Sequence, residues 1–574
     1  MMIPPAFVMV AGAVLLPFLP KKIRSAAFVF VTFCTLALVL NLPDGSSSPV
    51  KVMNYSLVLC EVDDLSRVFG IIFAFIAFAG GIYAFHIKET GQQVAALLYA
   101  GGALGVTFAG DFFTLFIYWE MMAVASAYLI WARRTKESHG AGFRYLLYHV
   151  LGGGLLFAGI LLHISKPGTD IFITDMNPGM GISAWLMLLG VVINAAVPPL
   201  HSWLSDAYPK ATVTGAVFLS AFTTKTAVYV LARMFHGWEV LLIFGTIMTL
   251  YGVIFAVLAN DIRGILAYHI ISQVGYMVAG VGIGTAMAIN GAVSHAFSHI
   301  LYKALLFMGA GVVLHTTGTS KLTELGGLGK KQPITFWLYM IAAFSISGFP
   351  LFNGFISKSM TVAAAISGEA HYEWAHLLMI LAAVGTFLSV GLKLPYFTWY
   401  SREKPKELKP TAPPKNMHIG MAVVAFFCIL HGIAPKLLYV WLPHLVKWNP
   451  FTMHHLVETV QILVFTFVVF WLMRKVIHPK ARIALDLDWF YRKPAKLVRR
   501  IIVEPWNSSF DWVEGQAFTI AGKLATFGKN PFLLFSRDKS DGTYTPDRYR
   551  PAAQQLVFAV LGLFIIVVFL GLIL

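Results

Sequence analysis

The sequence predicts an all-α polytopic membrane protein, and three observations predict it. Of 574 residues, 58% are hydrophobic and 12% charged, which is too apolar for a globule in water. Apolar runs of roughly twenty residues recur from end to end, the length a helix needs to cross hydrocarbon. The alternating ten-residue strands of a membrane barrel are not visible, so helices are left to satisfy the backbone in lipid.

The first run, residues 4–20, lacks a basic leader and an A-x-A cleavage site, so it is expected to stay as a permanent helix. Runs at 25–42, 64–86, 92–109, 111–131 and 143–165 follow, separated by short polar loops. The seventh, 183–207, is interrupted near mid-span at Val197-Pro198-Pro199. Runs at 211–235, 240–259, 264–285 and 288–315 lead to the twelfth, 333–364, interrupted at Ser347-Gly348-Phe349-Pro350. The remaining runs are 374–400, 417–441, 455–477 and 553–574, making about sixteen spans in all.

Proline inside a span frees backbone carbonyls that water or protein must satisfy. Two interrupted helices five segments apart are the signature of two inverted five-helix repeats with an ion site at each break. Two simple proline kinks are the plainer alternative. The expected organisation is N-terminal helices over 1–63, an ion-translocating core over 64–441, an extra transmembrane helix within 442–478, an amphipathic lateral element over 479–552 and an anchor over 553–574.

A net charge of +16 raises nucleic acid as a partner, but the basic residues lie in alternate loops rather than on one soluble face. One set of loops holds Lys21, Lys22, Arg24, Arg133, Arg134, Lys136, Lys321, Lys330, Lys331, Arg402, Lys404, Lys406, Lys409 and Lys415. Before residue 450 the tally is about seventeen basic residues on that side against about three on the other, enough to set topology. The expected orientation has the N-terminus outside and the tail after residue 478 on the cytoplasmic face. A bacterial or archaeal plasma membrane, the inner membrane where there are two, is the expected location. Cys34, Cys60 and Cys428 have no paired spacing, which argues against an iron–sulfur or zinc framework. No metal and no cofactor is expected in this chain, and no electron transfer within it.

Six ionisable residues stand inside apolar segments. Glu120 lies about nine residues from the nearest loop, too deep for a carboxylate to reach headgroups, so it must be paired or protonated. A structural hydrogen bond to a neighbouring helix is its alternative reading. Lys225 is similarly deep, and its stem gains only about 5 to 6 Å by snorkelling. His295, His299 and Lys303 stand at i, i+4 and i+8, stacked on one helix face about 6 Å apart, as in a proton relay. A haem would need a facing histidine, which His149 or His163 could supply, but nothing in the spacing demands it. Lys358, just past the second break, taken alone reads first as an ordinary helix-end lysine. Lys393, in VGLKLPYFTWY, is read either as lining a second half-channel or as a helix-end lysine.

The segments PLHSWLSDAY, DFFTLFIYWEMMAVASAYLIW, SHAFSHILYKALLFMGAGVVL and SGFPLFNGFISK together resemble the antiporter-like membrane subunits of respiratory complex I, the chain 5, 4 and 2 type. They equally resemble the D-type and A-type subunits of multisubunit Na⁺/H⁺ antiporters. The resemblance covers about residues 60 to 440. It implies proton translocation by a glutamate on the fifth helix, here Glu120, and a lysine on the seventh, whose place is taken by Asn194. It further implies Lys225 on the eighth, His295, His299 and Lys303 on the eleventh, and Lys358 on the twelfth. His201 falls in the first of the matching motifs. Asn194 cannot ionise, so either Glu120 works with Lys225 through water or the first half-channel is altered or silent. The tail resembles the lateral helix that ends the chain 5 type, although Pro494, Pro505 and Pro531 argue against one straight rod.

The function implied is movement of H⁺, alone or exchanged for Na⁺, along a buried Glu/Lys/His axis. Partners would be the lipid bilayer and other membrane subunits, including homologous antiporter-like ones, with or without a peripheral redox module of NADH:quinone reductase or hydrogenase type. Coupling would be electrostatic: at about 6 Å and an effective dielectric near 20, unit charges interact by about 3 kcal/mol, roughly a hundredfold in proton occupancy. Two rivals remain, a non-conducting structural subunit, for which Asn194 argues, and an energy-coupling subunit for bicarbonate uptake.

Overall fold

The computed structural model describes residues 2–368, 370–401, 408–481, 485–529 and 550–573. Arg402, Lys404, Lys406 and Pro531, singled out above, lie outside the described residues. Contacts divide the chain into two units, one ending at Asp488 and the other beginning at Trp489.

In the first unit α1 (Pro5–Leu15), α2 (Arg24–Leu40), α3 (Asp64–Tyr83), α4 (Thr90–Phe108), α5 (Phe112–Trp131) and α6 (Lys136–Ile164) are followed by α7 (Ile182–Asn194) and the short α8 (Ser202–Ala207). The eighth span is split into α9 (Gly215–Ala221) and α10 (Thr223–Met234). Next come α11 (Glu239–Leu258), α12 (Ile262–Ile283), α13 (Ala286–Thr317), α14 (Pro333–Ser347) and α15 (Asn353–Ala364). The unit closes with α16 (Glu373–Thr386), α17 (Lys415–Ile433), the single turn α18 (Lys436–Tyr439) and α19 (Met453–Met473). Among the described residues eleven helices are long and apolar enough to cross a membrane. Four shorter apolar helices, Pro5–Phe18, Arg24–Leu40, Ile182–Asn194 and Pro333–Ser347, stand where further spans are expected from sequence.

Side chains set several helix starts: Asp63 accepts from the Ser66 amide, Asp111 from Thr114, Thr135 from Ser138 and Asp261 from Gly264. One departure from an all-helical chain is a small extended excursion between α2 and α3. There Gly45–Ser46 pairs antiparallel with Glu61–Val62, and Val50–Val52 with Tyr55–Leu57. These strands are two or three residues long and mostly exposed, so no alternating apolar pattern announces them.

The same packing order occurs twice. Helix α4 lies on α5 and α6 on α7; then α11 lies on α12 and α13 on α14 and α15. Small residues permit the closest approaches: a Cβ on Gly245 of α11 would stand 2.3 Å from the Ala279 nitrogen of α12. The span formed by α9 and α10 and the central part of α13 are enclosed by other helices, which puts the eleventh span at the centre.

Both expected breaks are present. The first separates α7 from α8 around Pro198 and Pro199; the second separates α14 from α15 around Gly348 and Pro350. Each contains a non-glycine residue in the left-handed region, Ala196 with φ 59° and Leu351 with φ 72°. Such strain is held only where the surroundings enforce it. Two further irregularities were not expected: the eighth span turns at Phe222, with no proline there, and the thirteenth widens into a π-turn over Phe387–Lys393, just before Pro395.

The second unit, taken alone, holds α20 (Trp489–Arg492), α21 (Ala495–Val498), α22 (Glu504–Lys529) and the apolar α23 (Ala553–Ile573). The interruption expected at Pro505 is corrected here. A π-turn over Arg499–Val503 carries the helix from α21 into α22, so Pro505 falls in the first turn of α22, where its missing N–H costs little.

Candidate functional site

The site begins with how a lysine can be held inside helices. The last carbonyls of a helix lack in-helix donors and carry partial negative charge. Lys358 Nζ donates to the Ile346 carbonyl in the last turn of α14 at 2.6 Å, and the residue four places on is Pro350, which has no N–H to offer. Lys225 Nζ donates to the Ser220 carbonyl in the last turn of α9 at 2.6 Å and to Thr224 Oγ1 at 3.0 Å. Lys393 Nζ, in the π-turn, donates to the Val257 and Ala259 carbonyls at the end of α11 at 2.5 and 3.1 Å. All three lysines are buried and each closes a helix end. The helix-end reading of Lys358 and Lys393 is therefore replaced by one in which each is buried against the end of another helix.

Lys303 is different. It stands mid-way along enclosed α13, wholly buried, and its Nζ has no hydrogen-bond partner. One turn back, neither ring nitrogen of His299 has one. His295 lies 6.3 Å from His299, ring to ring, close to the helical stacking expected. His295 Nδ1 is 3.2 Å from Ser357 Oγ, and its Nε2 is 3.5 Å from the Tyr302 hydroxyl. Tyr302 donates on to Gln273 at 3.4 Å, and the Lys358 ammonium lies 5.3 Å from the Tyr276 ring centre. Lys225 and Lys358 each act electrostatically on His295, His299 and Lys303, so these five residues form one interacting group. His269, bonded to Ser389 at 2.6 Å, joins it through the charges of Lys303 and Lys358.

Glu120 does not join this group. It faces out of α5 between Ile117 and Val124, which are 60% and 63% exposed, and is itself only half-buried. The expected depth along the span does not say which way the carboxylate faces, because an unbroken apolar helix has no sequence signal for which face is covered. Its Oε1 is buried without a partner, over Gly153 of α6. A Cβ on Gly153 would stand 1.7 Å from that oxygen. Gly153→Ala is therefore expected to expel the carboxylate toward the exposed face at a cost of about 1–3 kcal/mol. Carbodiimide labelling of Glu120, read by mass spectrometry, should rise several-fold over wild type.

Asn194 is not an empty place in the row. Its Oδ1 is 2.8 Å from His149 Nδ1, one helical turn from Gly153. His149 packs tilted against Tyr145, ring centres 4.1 Å apart, and edge-to-face with Trp203, 4.6 Å. The Tyr145 hydroxyl is 2.7 Å from Ser126 and 3.4 Å from Thr223, two residues before Lys225. The hydroxyls of Tyr145, Ser126 and Thr223 thus lie between the His149 ring and the turn that carries Lys225. His163 is separate, edge-to-face with Phe112.

His201, at the first break, is wholly buried and bonded through Nε2 to the Asp486 carboxylate at 3.1 and 3.2 Å. Tyr268 donates to the same carboxylate at 2.7 Å, and the Tyr251 hydroxyl also reaches it. Burial alone raises the Asp486 carboxyl, but these donors outweigh it and bring it down to about 2. Sequence reading missed Asp486, Tyr251, Tyr268, His269, Tyr302 and Tyr145. Polar residues inside apolar runs are a visible signal for His269, but no local pattern joins residues 285 positions apart. Among the described residues no cluster of His, Cys, Asp and Glu is arranged to hold a metal.

Two broken helices around an enclosed cationic group define a multi-span membrane protein with a polar interior. Residues 109–389 match the transmembrane family of NADH:quinone oxidoreductase and the Mrp antiporter. An uncharacterized protein of Methanocaldococcus jannaschii is 31% identical over 58% of this chain and 73% of its own length. The D-type Na⁺/H⁺ antiporter subunit of Alkalihalophilus pseudofirmus is 34% identical over 51% of this chain, and the match spans 60% of that protein. A chain of the Mrp complex from Dietzia superposes with TM-score 0.68 at 21% identity, over 81% of this chain and 98% of that one. This chain belongs to the antiporter-like membrane subunit family shared by NADH:quinone oxidoreductase and multisubunit Na⁺/H⁺ antiporters.

Proposed function

We propose that this chain moves H⁺, alone or in exchange for Na⁺, as one membrane subunit of a larger antiporter-type or complex I-like assembly. The observation that carries the reading is the enclosed group Lys225, His299, Lys303, His295 and Lys358, spanning from the broken eighth helix to the broken twelfth. Ionisable groups this deep in a membrane protein mark ion paths, and helix breaks supply the polar backbone that such paths use. Lys225 takes a proton from the side of α6 through the hydroxyls of Tyr145 and Thr223 and passes it to His299 and Lys303; Lys358 releases it. His149, paired with Asn194, keeps a titratable group where the family carries lysine, which favours an altered first half-channel over a silent one. The loop charges support an orientation with the N-terminus outside and the lateral element on the cytoplasmic face. Neighbouring membrane subunits would set the charge that drives the row, with a redox module or without one.

The test is proton uptake by energised vesicles containing the whole assembly, wild type against Lys225→Ala at matched expression. Uptake should be lost while the subunits still co-purify. Uptake at the wild-type rate would make this a structural subunit.

A further inference from the structure

A cavity of about 320 Å³ opens between α15, α16 and α19, on the side of Lys358 away from the row. Its polar lining is Ser347 at the second break, Lys358 and Ser359 from α15, His376 from α16, and Trp448, Thr452, His454, His455, Glu458 and Thr459 at and just before the start of α19; His376 is turned away onto the Val362 carbonyl, 3.0 Å from its Nδ1. By volume it has room for about ten waters. The histidine and carboxylate are placed to work together: His455 Nδ1 is 4.0 Å from Glu458 Oε2, and the imidazole is held flat against Phe355, ring centres 4.9 Å apart. His455 Nε2 is buried and without a partner. Glu458 is partly exposed, so the pair runs from the interior toward the open side of α19.

We infer that this cavity is the mouth of the second half-channel and that His455 and Glu458 are proton-transferring residues of α19, a helix outside the family match. The inference rests on the proton-moving function proposed above. The Lys358 ammonium gives its proton to cavity water, leaving the neutral amine on the Ile346 carbonyl. The water passes one proton to the His455–Glu458 pair, which releases it at the exposed end. A chain of water and two groups is needed because the Lys358 ammonium is turned inward, onto a backbone carbonyl. The apolar remainder of the lining, Ile366, Ile380, Ile462 and Leu463 among it, keeps the path narrow and its charges unscreened.

The test uses the whole assembly in native vesicles and two readouts. Thr459→Cys should react with a charged, membrane-impermeant methanethiosulfonate added from the outer face, and should do so equally when Lys303→Ala has stopped transport. The double variant His455→Ala/Glu458→Gln should slow proton uptake on the order of a hundredfold, while Glu458→Asp retains most of it. An unreactive Thr459→Cys means lipid or another subunit fills the cavity, and overturns the inference. So does a reactive cysteine with the double variant transporting at the wild-type rate. If Lys303→Ala also transports normally, the proposed function itself has failed, an outcome distinct from either.

Discussion

Lys303→Ala is expected to stop proton movement through this chain without unfolding it. The two halves of that expectation come from one observation. Lys303 Nζ makes no hydrogen bond, so removing it leaves no donor or acceptor stranded. Lys358→Ala would strand the Ile346 carbonyl and Lys225→Ala the Ser220 carbonyl, each at about 1–3 kcal/mol, so loss of transport in those variants mixes chemistry with structure. At Lys303 the two separate. Burying a charge without a partner is costly, so the alanine variant should match or exceed wild type in thermal stability. The transport loss should be on the order of a hundredfold or more, because Lys303 interacts with Lys225, Lys358 and His269 alike. Proton uptake and the unfolding temperature of the purified assembly, measured on the same preparation, check both halves. Uptake within twofold of wild type would remove Lys303 from the path.

Asp486→Asn is expected to release the segment that follows α19. The carboxylate accepts from His201, Tyr251 and Tyr268, and from the Leu487 amide at 2.6 Å. An amide in its place turns an NH₂ toward donors and removes the charge that binds His201. The local cost is about 2–4 kcal/mol. The segment then opens about thirtyfold more often at the lower figure, and trypsin cleavage at Lys480 should accelerate by that factor. Acid should act like the substitution. Because the Asp486 carboxyl is held at about 2, below its ordinary value of 3.8, its contribution is complete above pH 4 and is lost as pH falls toward 2. Trypsin is inactive over that interval, so the acid arm uses pepsin: cleavage next to Leu485 that stays flat across it, relative to an unfolded control peptide, would mean the carboxylate does not hold the segment.

The parts of this architecture legible in the sequence are those with a local cause. Span positions follow from run length, and the breaks at Pro198, Pro199 and Pro350 from a missing N–H. The stacking of His295, His299 and Lys303 follows from helical periodicity. The break at Phe222 was not legible, since no proline or glycine stands at it, and the π-turn at Phe387–Lys393 was not expected either, although Gly391 and Pro395 mark that stretch. Nor was the partner of Asn194: His149 is visible as a lone histidine, and only the packing of α6 on α7 joins them. Glu120 shows the same limit from the other side. Its depth along α5 was readable, but its rotation toward the exposed face depends on neighbours that an all-apolar helix does not encode.

In the lysine contacts at the helix ends, the main chain serves as counter-ion. Lys225, Lys358 and Lys393 lean on carbonyl dipoles, and no carboxylate is paired with any of them among the described residues. A proton that leaves such a site uncovers no anion to call it back. In the function proposed here, a proton admitted at the Lys225 end would therefore meet only like charges along the row and would favour discharge of another at the Lys358 end.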